Sequence, residues 1–159
     1  MSVRAALAIV MAGCGAGGGG SPCGPSRAVV DRVIDGDTVV LASGQKVRYL
    51  LVDAPETTNG HDDCFGANAA QFNSDLVLGK EIELDYDAQC TDIYGRLLAY
   101  VSVGGQEVNT LEVQRGYACV LYIPPDGKDR HAEFEQYEVD AKAAGRGMWS
   151  ACTGMVTCE

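Results

Sequence analysis

Between residues 29 and 52 the chain sets three largely apolar runs, 29–34, 38–42 and 47–52, the first mostly β-branched, and separates them only by three residues that begin Asp35-Gly36 and four that begin Ser43-Gly44. Connections this short suit antiparallel hairpins and leave no room for a crossover, so the three runs form a meander. Asp35-Gly36 in particular suits a two-residue hairpin turn.

Two more strands follow. Residues 80–86 alternate Ile82, Leu84 and Tyr86 against Glu81, Glu83 and Asp85, the period of a half-buried strand. Residues 96–103 supply the fifth strand and turn at Gly104-Gly105. Helical spacing appears at 66–78, where Ala69, Phe72 and Leu76 share a face and Gly79 stops the helix, and at 108–115, closed by Gly116. It appears again at 129–144, with Phe134, Tyr137, Ala141 and Ala144 on one face before Gly145. The expected class is α+β, mainly β: a five-stranded OB-fold barrel with three helices, the first plugging one end. A length of 159 residues suits one domain whose core needs no metal or disulfide support.

Composition narrows the function. Twelve basic residues face 22 acidic ones, a net charge of −10. Proteins that hold nucleic acid through its phosphates are usually basic, so the balance weighs against a tight binder; the local arginines outweigh it for an enzyme, which needs only transient contact. Arg4, an apolar stretch over 5–11 and Met11-Ala12-Gly13-Cys14 form the pattern of a bacterial lipobox. Residues 1–13 are then a signal peptide, Cys14 carries lipid that attaches the protein to a membrane, and 14–26 form a Gly/Ser/Pro-rich tether. The domain spans 27–151, and 152–159 are a cysteine-containing tail. The expected location is the cell envelope, outer membrane or cell surface; if 1–13 are an ordinary signal peptide, the protein is secreted. The apolar stretch is too short to span a bilayer. Seven cysteines in an exported chain point to disulfides, and setting Cys14 aside for lipid leaves an even number to pair. No Cys-x-x-Cys pair occurs and His61 and His131 are isolated, which argues against a zinc centre and gives neither histidine a role.

Three stretches carry the chemistry: Asp35-Gly36-Asp37-Thr38; Arg48-Tyr49-Leu50-Leu51-Val52-Asp53-Ala54-Pro55-Glu56-Thr57; and Asp92-Ile93-Tyr94-Gly95-Arg96. They supply carboxylates for a hard cation and two guanidinium groups for a phosphate, the parts that phosphodiester hydrolysis requires. In this order and at these separations they resemble the staphylococcal thermonuclease (micrococcal nuclease) family. The resemblance extends over 29–149 through Tyr94-Gly95-Arg96-Leu97-Leu98-Ala99-Tyr100, Val108-Asn109, Arg115-Gly116-Tyr117-Ala118 and Trp149.

That resemblance implies a monomeric, calcium-dependent endonuclease that cuts DNA and RNA with little sequence preference and leaves 3′-phosphate ends. It implies metal ligands at Asp37, Asp53 and the main-chain carbonyl of Ala54, catalytic roles for Arg48, Glu56 and Arg96, and nucleotide contacts from Tyr94 and Tyr122. Arginine is suited to the phosphate because its planar fork offers paired donors and stays charged. The chain departs from the family at Ile93 and Pro124, where a lysine and a tyrosine are usual, and at Glu112, where an apolar residue is usual and Leu111 is expected to take over the packing. Threading onto the family brings Cys64 and Cys90 together beside the site and implies a bridge between them, with the pairing of Cys23, Cys119, Cys152 and Cys158 left open. The alternative is an OB module that has lost catalysis and binds nucleic acid or protein, yet all five key side chains are present.

Overall fold

The three runs become β1 (Arg27–Val33), β2 (Thr38–Leu41) and β3 (Lys46–Tyr49), an antiparallel meander. The computed structural model describes residues 21–57, 60, 63–154 and 156, so the signal segment, Cys14, His61 and Cys158 lie outside the described residues. After the meander come α1 (Gly66–Val77), β4 (Glu81–Asp85), β5 (Leu97–Val103), β6 (Gln106–Glu107), α2 (Val108–Gln114), α3 (His131–Ala143) and α4 (Met148–Ala151). The strand order is β3-β2-β1-β4-β5-β6, and β3 also pairs parallel with β5 through Val47↔Leu97, Arg48↔Leu98 and Tyr49↔Ala99. That last pairing closes five strands into the expected barrel and leaves β3 and β5 without a free edge. Val39, Val47, Tyr49, Ile82, Val101 and Phe134 fill the interior.

Three local details differ from the sequence reading. The first connection runs over 34–37, with Ile34 N–H and Asp35 N–H both donating to the Thr38 carbonyl, so it is longer than a two-residue turn. Gly36 is needed there for packing, since a Cβ would lie 2.6 Å from Ala54 Cβ and 2.8 Å from Ala69 Cβ. β3 stops at Tyr49 instead of running to residue 52, because the chain turns through Leu51 at φ 60°. α3 ends at Ala143 and leaves Ala144 exposed. β6 and α4 are too short to show a period, which is why neither was expected.

Cys64 and Cys90 are not joined. Cys23 pairs with Cys90, Cα atoms 4.8 Å apart, and Cys64 pairs with Cys152, Cα atoms 5.9 Å apart. The register explains the first: β1 and β4 are antiparallel with Arg27 opposite Glu83, so the residues leading into β1 run beside those leaving β4. The second joins the head of α1 to the end of α4. Cys119 is disulfide-bonded as well.

Glu112 occupies the core instead of yielding it to Leu111. Its side chain is fully buried on α2, and neither carboxylate oxygen has a hydrogen-bond partner among the described residues. Burial, then the charges of Asp37 and Asp35, hold its carboxyl well above the ordinary value of 4.5. A raised acid pKa means that the folded chain binds this proton more tightly than the unfolded chain. The contribution is present below about 4.5 and is lost as pH rises toward the folded value. Glu112→Leu should therefore stabilise the protein by about 1–3 kcal/mol at pH 7, and the gain over wild type should grow with pH. Denaturant unfolding of both proteins at pH 5 and pH 8 checks this; equal midpoints at both values would refute it.

Candidate active site

Asp37 leaves the 34–37 turn and enters β2, buried beneath the turn that follows β3. Its Oδ2 accepts Ala54 N–H at 2.8 Å, its Oδ1 accepts the Thr38 hydroxyl at 2.8 Å, and Arg48 Nε lies 3.2 Å from Oδ1. The Thr38↔Arg48 register between β2 and β3 sets this arginine opposite. Arg48 Nη1 donates to the carbonyls of Tyr49 and Val52, and Nη2 to Asp53 Oδ1 at 3.2 Å. One guanidinium therefore holds both carboxylates and the turn between them. Asp53 is itself fixed by a two-bond bridge to Cys119, 3.0 and 2.9 Å.

Asp35 serves the turn: its Oδ1 accepts Asp37 N–H at 3.0 Å. Burial, then the Asp37 charge, pushes its carboxyl up to about 7 against the opposing effect of that N–H. Asn73 on α1 braces the same turn, donating to the Asp35 carbonyl and accepting from the Tyr49 hydroxyl, both at 2.9 Å. A fully buried asparagine on an otherwise apolar helix face gives no periodic signal and was not anticipated.

Glu56 follows Pro55 at the surface, close enough to Asp35 for its charge to add to the rise there. Arg96 ends the loop before β5. Asp92 shapes that loop, its Oδ1 accepting Tyr94 N–H at 2.9 Å and Arg96 N–H at 3.0 Å while its Oδ2 holds Arg96 Nε at 2.6 Å. Partial burial raises the Asp92 carboxyl, but these bonds from Arg96 outweigh it and hold it below the ordinary value. The terminal nitrogens of Arg96 have no partner among the described residues, and its guanidinium stands 5.5 Å from the Tyr94 ring. Two reciprocal ties carry the loop: Asp126 Oδ1 accepts Gln89 N–H at 2.8 Å, and Asp87 Oδ2 accepts Gly127 N–H at 2.6 Å.

A groove of about 560 Å³ runs between Arg48 and Arg96, walled by Leu51, Leu98, Leu121 and Ile123. Ile93, Tyr94 and Ile123 stand at its rim, 91%, 78% and 64% exposed. Tyr94 therefore borders the groove, whereas Tyr122 does not line it: its ring stacks on His131 at 4.3 Å, turned to α3. Neighbouring residues of an extended segment point to opposite sides, so Leu121 and Ile123 face the groove instead.

The donors in the acidic corner are oxygens only. Asp35, Asp37, Asp53 and Glu56 share it with the guanidinium of Arg48, and the Asp35 carboxyl is raised first by burial and then by the neighbouring Asp37 charge. That chemistry fits a hard divalent cation. No three His, Cys, Asp or Glu side chains among the described residues gather closely enough to hold an ion by themselves, so any ion here would need main-chain and water ligands as well.

Residues 46–151 match the family model described as staphylococcal nuclease homologue. Endonuclease YncB of Bacillus subtilis (strain 168) is 40% identical over 134 residues, which are 80% of this chain and 63% of that protein. The SPbeta prophage-derived endonuclease YokF of the same organism is 37% identical over 134 residues, 80% of this chain and 45% of the relative. The thermonuclease of Staphylococcus intermedius is 32% identical over 126 residues, 76% of this chain and 74% of the relative. The chain thus spans less than two thirds of the length of the two Bacillus relatives.

Proposed function

Because the chain belongs to the staphylococcal nuclease family, we propose that it is a calcium-dependent endonuclease that hydrolyses DNA and RNA and leaves 3′-phosphate ends. One observation carries the reading: Arg48 both binds the Asp37 and Asp53 carboxylates and lines the groove that Arg96 enters from the other side. In this reading the metal ligands and the phosphate donors border one groove.

Asp37 and Asp53, with the Ala54 carbonyl, would hold the ion. Bound calcium supplies charge neutralisation at the phosphate and a more acidic water. Glu56 accepts the proton of the attacking water, whose oxygen bonds to phosphorus as the bond to the 5′ oxygen breaks, and that 5′ oxygen leaves as a hydroxyl with a proton from solvent. Arg96, tied at Nε by Asp92, keeps its terminal N–H groups for the phosphate oxygens as charge builds on them. Arg48 spends its donors on Asp37, Asp53 and two carbonyls, so its first task is to hold the acidic corner in shape. Plasmid digestion in calcium and in excess chelator tests the reading. Cutting in calcium alone is expected, with ends that a polymerase extends only after phosphatase treatment. Full cutting in chelator would overturn the calcium assignment, and no cutting with any divalent ion would overturn the nuclease.

A further inference from the structure

Asp63 is the residue to which the main chain of Glu56 is fastened. Its Oδ2 accepts Glu56 N–H at 3.1 Å, and its own N–H donates to the Glu56 carbonyl at 3.0 Å, so the two residues close the intervening loop from both directions. The Asp63 carbonyl in turn accepts Gly66 N–H at 3.0 Å, which fastens this pair to the first residue of α1. Helix and loop lie so close that a Cβ at Gly66 would sit 2.8 Å from the Glu56 carbonyl oxygen and 2.9 Å from that of Pro55. The next residue, Cys64, is bonded to Cys152 after α4, which anchors the arrangement to the far end of the fold. Phe65 adds packing through Tyr117, ring centroids 5.3 Å apart.

An exposed carboxylate on a loop loses much of its value as a base unless the backbone beneath it is held. We propose that Asp63, anchored by the Cys64–Cys152 disulfide, is the positioning residue for Glu56, an inference that rests on the nuclease reading of the site. Asp63 does not touch the groove. It acts through the main chain of Glu56, so its loss should appear in the catalytic rate and not in substrate affinity.

The test uses the full chain with its disulfides intact and measures kcat and KM on an oligonucleotide in calcium, together with hydrogen exchange at the Glu56 amide. Asp63→Ala should lower kcat by about 10- to 100-fold with KM changed less than about threefold, and should speed exchange at Glu56 by about tenfold or more. Asp63→Asn keeps an oxygen that can accept the Glu56 N–H and should stay within about threefold of wild type in both readouts. Asp63→Ala with wild-type kcat, a loss carried by KM, or Asp63→Asn as impaired as Asp63→Ala would each overturn the proposal. Should Asp63→Ala fail to fold, Cys64→Ser/Cys152→Ser carries the test: slower turnover with faster exchange at Glu56 is expected, and no change in either overturns it. A wild-type chain that cuts nothing would sink the nuclease reading alone, because exchange at Glu56 in Asp63→Ala still reports whether Asp63 holds that segment.

Discussion

Arg96→Lys should cut nuclease turnover by about 10²–10³-fold, the loss found when one donor to a developing oxyanion is removed, while leaving the fold intact. The side chain is partly exposed, and its protein bonds are confined to the loop that Asp92 already shapes through Tyr94 N–H and Arg96 N–H. A lysine ammonium can still pair with Asp92, but it has no second and third planar nitrogen to present to the phosphate once that pairing is made. The loss should fall on kcat, since the equatorial oxygens gain charge only as the fifth bond forms. Turnover close to wild type in a purified, folded Arg96→Lys protein would remove this arginine from the chemistry.

Asp37→Ala should weaken calcium binding by about tenfold or more, on the scale set by losing a part of a metal's support, and abolish most cleavage at fixed calcium. It should also cost about 1–3 kcal/mol of stability, because Ala54 N–H, the Thr38 hydroxyl and Arg48 Nε lose a shared acceptor. Calorimetric titration with calcium separates the two effects. An unchanged titration curve in folded protein would show that the corner binds no ion through this residue, whatever happened to the stability.

The strand and helix segments were legible because each carries its own period. Alternation over 80–86 and the spacing of Phe134, Tyr137 and Ala141 are properties of one element facing one core. The candidate site residues rest on a different ground: Asp37, Arg48, Asp53, Glu56 and Arg96 sit in short motifs whose residue types suit phosphodiester chemistry, so resemblance to a family could nominate them one by one. Asp63, Asn73, Asp87 and Asp126 had no such mark. Each acts by accepting or donating a main-chain or hydroxyl hydrogen bond across the fold, and any polar surface residue looks the same in a single sequence.

The sequence by itself determined the meander, the sites of the three main helices, the export signal pattern as an expectation and the chemical character of the site, because these depend on residue type and on spacing within one segment. Only the tertiary structure decided the closure of β3 on β5, the partners of Cys64 and Cys90, the face that Tyr122 presents and the burial of Glu112. Each of these turns on how two segments far apart in the chain are brought into register. An antiparallel β1–β4 pair carries Cys23 to Cys90 whatever either cysteine's neighbours look like. Packing of α2 against the barrel likewise commits position 112 to the core before its carboxylate can find a partner.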